Sequence, residues 1–233
     1  MKKVAIVQSN YIPWIGYFDL INSVDEFILL DSVQYTTRDW RNRNKIKTAT
    51  GLSWLTIPVV YVERKQLIRD TQIATPSWSK QHFDTLRHVY ARAEGWGKVD
   101  DFIGNIYHRA HALPYLSDIN SLFTQQICQF LAIDTVIAAD SSVIDAPELF
   151  GASERLLQLC LKREADVYVS GPAAQNYLDV ALFNRHGIEV EWMCYGPYLP
   201  YKQLYGDFVQ AVSVIDMLVS LGDGAKDYFH RCV

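Results

Sequence analysis

The sequence predicts an α/β fold: a mostly parallel, Rossmann-like sheet flanked by helices, with a helical insertion in the middle third. Three observations predict it. Short apolar runs such as VAIV near the start lack the alternation of a half-exposed strand, so both of their faces should be buried. Such runs alternate with helical spacing at both ends of the chain, and that alternation builds parallel sheets. Between about residues 76 and 133 only helical periodicity remains. One domain over residues 1–233 follows, with about 1–75 and 134–233 forming the sheet.

The elements follow in order. Lys3 to Val7 is the first strand. Pro13 and Gly16 break the chain, and YFDLINSVD then carries apolar residues at helical steps. EFILLD, Glu26 to Asp31, is a second buried strand, so residues 3–31 form a βαβ unit whose loop lies at a strand's carboxyl end. SWLTIPV, Ser53 to Val59, is a third strand candidate, entered through a turn at Gly51. The insertion comprises SKQHFDTLRHVYARAEGW, VDDFIGNIYHRAHAL and LSDINSLFTQQICQFLAI, the last with Ser117 or Asp118 as N-cap. DTVIAAD is a strand, and SERLLQLCLKRE a helix with Ser153 as N-cap. ADVYVS is a strand, and PAAQNYLDVALFNRHG one helix running from Pro172 to Gly187. IEVEWMCY is the last strand, and AVSVIDMLVSLG a helix closing at Gly222.

Composition narrows the function classes. With 49% hydrophobic and 21% charged residues, the 233-residue chain is globular, not disordered. A net charge of −4 argues against general nucleic-acid affinity. The 14 Tyr and 6 Trp supply core and also flat platforms for ligands. Cys128, Cys160, Cys194 and Cys232 are too far apart for a CxxC or zinc knuckle. The apolar neighbours in ICQ, LCL and MCY predict buried reduced thiols. VAIV is too short for a signal sequence, no apolar run approaches a membrane span, and Cys232 sits in no prenylation box. A cytoplasmic location is expected.

QSNYIPWIGYF directly follows the first strand, where open α/β sheets bind ligands. Gln8 and Asn10 offer amide donors and acceptors; Tyr11, Trp14 and Tyr17 offer stacking faces. Gly16 could open a helix whose amides face an anion. The alternative is a tight turn with its aromatics packed beneath it. RDWRNRNKIK is the sharper signal: five cations against one Asp, a net of +4, leave the rest of the chain at −8. If extended, Arg41, Arg43, Lys45 and Lys47 share one face and Asn42, Asn44 and Ile46 the other; if helical, Arg38, Arg41 and Lys45 group together. Either way a guanidinium cluster is expected, suited to a small anion such as a nucleotide diphosphate. A solvated charged face is the alternative. On the binding reading the two stretches form two walls of one anionic-ligand site.

Other signals are weaker. GxGxxG, Walker and GxSxG motifs are absent. YVSGPAAQNY places Ser170 and Gly171 between a strand and a helix, either as an anion-holding helix start or as a plain turn. His108 and His111 are spaced i, i+3 but lack companion ligands, so no metal site is expected. His82 is a candidate general base, or else a surface or capping residue. Cys160 and Cys194 have the apolar neighbours of inert thiols, not nucleophiles.

QSNYIPWIGYFDLINSVDEFILLDSVQYTTRDWRNRNKI, then WLTIPV, YVSGPAAQNYLD, GIEVEW, QLYGDF and VSVIDMLVSLG resemble the WbqC-like protein family over nearly the whole chain. Many members have Pro where Ser9 stands, and often two acids where Asp31-Ser32 stands, which weakens a paired-carboxylate metal site there. The resemblance implies a gene setting in bacterial lipopolysaccharide and other surface polysaccharides. It also implies transfer of an acyl or aminoacyl group, such as glycyl, to an amino group on a nucleotide-linked sugar. The donor would be an aminoacyl-tRNA or an acyl-CoA, with tRNA a partner only in the first case. The family-matching polar positions are Gln8, Asn10, Tyr11, Tyr17, Asp31, Gln34, Arg38, Trp40, Asn42, Arg43, Ser170, Gly171, Tyr177 and Gln203. With Trp14 and Arg41 they form the expected binding set; His82, Asp31 and Ser170 are the expected catalytic groups. Nucleotidylyltransferase-like proteins carry a Gly-His pair where this chain has Gly16-Tyr17, so adenylyl transfer is not carried over.

Overall fold

The computed structural model describes residues 1–229; Cys232 lies outside the described residues. Five strands form a parallel sheet: β1 (Lys3–Val7), β2 (Glu26–Leu29), β5 (Val136–Ala139), β6 (Val167–Ser170) and β7 (Glu189–Trp192). Their order across the sheet is β5-β2-β1-β6-β7. The chain therefore builds outward from β1 in one direction through β2 and β5, then returns to build the other way through β6 and β7. That reversal falls between β1 and β6.

The apolar runs are continuous because the sheet is covered on both faces. Alternate residues divide between two cores. Ala5, Phe27, Leu29, Val167 and Val169 face the larger one, shared with α1 (Ile15–Asn22), with α7 (Val214–Leu221) and with the insertion. Val4, Ile6, Ile28 and Tyr168 face the other, covered by α5 (Ala152–Lys162) and α6 (Val180–Arg185). The insertion is helical as expected: α2 (Trp78–Tyr90), α3 (Trp96–Ala110) and α4 (Leu116–Phe130). Among the described residues no helix is long and apolar enough to cross a membrane.

Several expectations are corrected. The SWLTIPV strand does not join the parallel sheet. It forms β4 (Gly51–Thr56), which pairs antiparallel with β3 (Arg43–Thr48) in a separate hairpin. Residues 30–75 thus contribute no strand to the main sheet. Ser153 lies inside α5, whose N-cap is Gly151, and its hydroxyl instead accepts the Asp179 amide at 3.2 Å. Helix α4 begins at Leu116 after Tyr115, without a side-chain cap from Ser117 or Asp118. The helix expected over Pro172 to Gly187 is broken. A 3-10 segment, Pro172–Asn176, comes first, and α6 restarts on Asp179, whose carboxylate caps the Leu182 amide at 3.0 Å. Cys128 and Cys160 are buried, but Cys194 is exposed.

Candidate functional site

At the reversal between β1 and β6 the carboxyl ends of two neighbouring parallel strands diverge into a cleft of about 350 Å³. Open α/β sheets bind ligands at such points. Gln8 enters from the end of β1, Ser170 and Gly171 from the end of β6, and Tyr177 from the 3-10 turn. The side-chain amide of Gln8 hydrogen-bonds no described residue, while its carbonyl accepts the Tyr17 hydroxyl at 3.2 Å. Ser170 is buried at the end of β6, two residues past Tyr168. Tyr177 is two-thirds exposed at the mouth.

Two further lining residues escape the sequence reading. Arg155, on α5, gives its guanidinium to backbone carbonyls: Nε to Pro147 at 2.5 Å, Nη2 to Phe150 at 2.9 Å and Glu148 at 3.3 Å, Nη1 to Ser32 at 3.4 Å. These acceptors are neutral and orient the guanidinium, while the Glu148 carboxylate nearby offsets part of its charge. The Glu148 carboxylate turns to Arg69 at 3.1 Å. Tyr195 follows β7 and sits with its ring 5.3 Å from that of Trp14. In the sequence Arg155 looks like any polar position of an amphipathic helix. Tyr195 had a usable signal, its place just past a strand's carboxyl end.

Trp14 belongs to a second pocket of about 250 Å³, lined by Asn10, Pro13, Trp14, Trp40, Asn44 and Ala211. The loops carrying Trp14 and Trp40 are tied by the Tyr11 amide, which donates to the Trp40 carbonyl at 3.1 Å. Asn44 donates from Nδ2 to the carbonyls of Tyr11 at 3.2 Å and Ile12 at 2.9 Å. Asn10 lines this pocket, and its Oδ1 is buried and has no hydrogen-bond partner. The two pockets are therefore neighbours divided by the Tyr195–Trp14 pair.

The rest of the expected set disperses. The guanidinium cluster does not form. In the extended β3, Arg43 and Lys45 lie over the Trp54 ring, at 4.1 and 5.0 Å from its centroid. Arg41, just before the strand, turns inward, is buried, and donates to the Ser9 carbonyl at 3.2 Å. Lys47 is also buried, with Nζ 2.7 Å from Gln203 Oε1, so Gln203 serves a buried lysine. Arg38 is exposed, and its carbonyl accepts from Arg43. Gln34 is exposed and bridges to Leu67. Asn42 is buried and donates to the Ile57 carbonyl at 2.8 Å. Tyr11 and Tyr17 are core residues with no exposed stacking face.

The three expected catalytic groups do not meet. His82 is buried among Tyr11, Trp78 and Tyr107, with Nδ1 2.9 Å from the Tyr11 hydroxyl. Burial lowers its pKa to about 4, against a hydrogen bond to the Thr56 backbone that acts the other way. It is neither the surface residue nor the helix cap weighed above. Asp31, just past β2, lines a third cleft of about 350 Å³ with Asp140, on the far side of β1 from Ser170. Burial pushes the Asp31 carboxyl up to about 6, opposed by hydrogen bonds from Ser9, whose amide donates at 3.1 Å. Asp140 accepts both the amide and the hydroxyl of Ser32, at 3.0 and 2.5 Å. Ser32 thus spends its polar groups on the carboxylate of the next strand.

Comparison with known proteins agrees with the resemblance. The profile of the WbqC-like protein family matches residues 8–228. The chain is 46% identical over 235 residues to a protein of Mycobacterium tuberculosis (strain ATCC 25618 / H37Rv) named "Uncharacterized protein Rv1507c", covering 100% of this chain and 99% of the relative. No solved structure matches. The matched span includes the β1 and β6 loops of the cleft and both tryptophans of the neighbouring pocket, and this chain belongs to the WbqC-like protein family.

Proposed function

We propose that the protein is a cytoplasmic transferase of bacterial surface-polysaccharide synthesis. It binds a nucleotide-linked amino sugar and moves an acyl or aminoacyl group, such as glycyl, onto the sugar's amino group. The observation that carries this reading is the cleft at the strand-order reversal. There the Arg155 guanidinium, the free Gln8 amide and the Ser170–Gly171 turn converge. An arginine oriented by neutral acceptors suits a phosphate. The free amide and the turn suit a polar sugar. In the reaction the sugar's amine attacks the donor's carbonyl carbon, the thiol of an acyl-CoA or the ribose hydroxyl of an aminoacyl-tRNA departs, and the amine gives up a proton. The expected base Asp31 lines the separate cleft across β1, so the departing thiolate or alkoxide takes up that proton.

A non-catalytic sugar-nucleotide-binding role is the second reading. It is favoured by the burial of His82 away from the cleft and by the place of Asp31 in a separate one. Mixing the protein with nucleotide-linked amino sugars and either donor separates the two. A sugar that gains the mass of the acyl group supports transfer. Calorimetric binding that depends on Arg155, with no mass gain from any donor, sinks the transferase reading and leaves the binding one.

A further inference from the structure

The Trp14–Trp40 pocket differs in chemistry from the cleft beside it. Its lining residues, Asn10, Pro13, Trp14, Trp40, Asn44 and Ala211, include no ionisable side chain. A phosphate has no partner there. Asn44 has spent its amide, with Nδ2 on two carbonyls and Oδ1 accepting the Lys45 amide at 2.8 Å. Asn10 keeps an unbonded side-chain amide whose acceptor oxygen is buried, and the only other unbonded polar side-chain groups of the lining are the two indole N–H donors. An orphaned buried acceptor costs stability unless a ligand supplies the missing donor. The walls are flat: Trp14 is wedged against Gly16 and Tyr195, and Trp40 stands beside Trp54 with ring centroids 5.4 Å apart.

We propose that this pocket is a ring subsite that takes the nucleobase of the sugar nucleotide, stacked on Trp14 and Trp40 with one edge N–H donated to Asn10 Oδ1. A pyranose could also lie on an indole, but it would bring several hydroxyls to a pocket whose free side-chain groups are one amide and two indole N–H donors, and the hydroxyls left over would lose their water uncompensated. A base brings a flat face and few donors. The two pockets then share the ligand across the Tyr195–Trp14 partition, with the phosphates and sugar on the Arg155 side. Naming the ring a nucleobase rests on the proposed function; the subsite itself rests on the pocket.

The test is calorimetric titration of the full chain with UMP, CMP, GMP and dTMP, and separately with glucosamine 1-phosphate. The variants are Asn10→Ala, Trp40→Ala and Arg155→Gln. At least one nucleoside monophosphate should bind, and Asn10→Ala and Trp40→Ala should each weaken it about tenfold or more. Both should leave glucosamine 1-phosphate unchanged, while Arg155→Gln weakens both classes of probe. Asn10→Ala removes a side chain with no protein partner, so its melting temperature should match or exceed the wild type. Equal nucleotide affinity in both pocket variants overturns the proposal. So does a wild type that binds none of the four monophosphates, or a loss confined to the sugar phosphate. Base binding lost in the pocket variants, with no acyl product from any donor, fails the transferase reading and leaves the subsite standing.

Discussion

Trp14 lies over Gly16 so closely that a Cβ on Gly16 would come within 2.3 Å of the indole Cζ2. The opening stretch thus has a steric logic. Gly16 stands at the start of α1 because the indole that divides the two pockets occupies the place of its side chain. Gly16→Ala must push the indole off its seat or open the first turn of the helix. Such overpacking typically costs about 1–3 kcal/mol. We expect a lower urea midpoint, altered tryptophan emission, and weaker ligand binding in both pockets. An Ala variant with wild-type stability and emission would show that the ring is free to move, and would undo the claim of a fixed partition.

Asn44 holds the same loop from beneath. Ile12 has φ +38°, a left-handed conformation that strains a β-branched residue. The Asn44 amide pins the carbonyls on either side of the Ile12 nitrogen–Cα bond, those of Tyr11 and Ile12. Asn44→Asp keeps the shape but replaces the donor with an oxygen facing two carbonyls. Roughly 2–4 kcal/mol of destabilisation should follow from two unmet buried acceptors. Asn44→Ala should cost about the same. Chemical denaturation that finds either variant within about 0.5 kcal/mol of wild type would mean that the loop holds its conformation unaided.

How much of this was legible in the sequence depends on how local the cause is. VAIV, EFIL and VYVS read correctly as strands because burial on both faces leaves its mark in each run. The basic island misled because charge in a sequence implies water, whereas Arg41 and Lys47 are drawn inward by acceptors far along the chain: the Ser9 carbonyl and Gln203. The break at Asp179 was missed because the Pro172 and Gly187 punctuation fits one helix as well as two segments. Of the expected site residues, Gln8, Ser170, Gly171 and Tyr177 converge because all follow strand ends of one sheet. Arg155 comes from the middle of the covering layer, and nothing in its neighbours marks which helix face reaches the cleft.

The C-terminal segment is fastened by a buried carboxylate. Asp216 is fully buried and accepts the hydroxyls of Tyr90 and Tyr201, each at 3.0 Å. Tyr90 Oη also accepts the Lys47 amide at 3.0 Å, which joins α2, β3 and α7 at one oxygen. Tyr90→Phe removes a hydrogen bond to a charged group and leaves the Lys47 amide unmet. About 1.5–3 kcal/mol should be lost. Asp216→Asn in the Tyr90→Phe background should cost less than it does alone, because the two residues share a contact. Additive losses in a double-mutant cycle would show that the network does not act as a unit.

Two buried groups should oppose each other as pH changes. His82, held by Tyr11 and packed against Tyr107 and Trp78, has its pKa lowered by burial to about 4. Between pH 4 and the ordinary value of about 6.5, the unfolded chain binds a proton that the folded protein refuses. Stability from His82 therefore rises with pH across that window and is complete above it. Asp31, flanked by Asp140 and Arg41, is raised by burial to about 6. From about pH 3.9 to 6 the folded protein keeps a proton that the unfolded chain has released, so stability falls as pH rises, and the cost is complete above pH 6. Each effect is on the order of 3 kcal/mol. In the wild type the two nearly cancel between pH 4 and 6. Asp31→Asn should remove the falling component, so its stability relative to wild type increases with pH across the window. His82→Gln should remove the rising one, so its relative stability decreases. Urea midpoints taken from pH 4 to 7.5 read both differences directly, and two differences that stay flat with pH would refute the assigned burial of both charges.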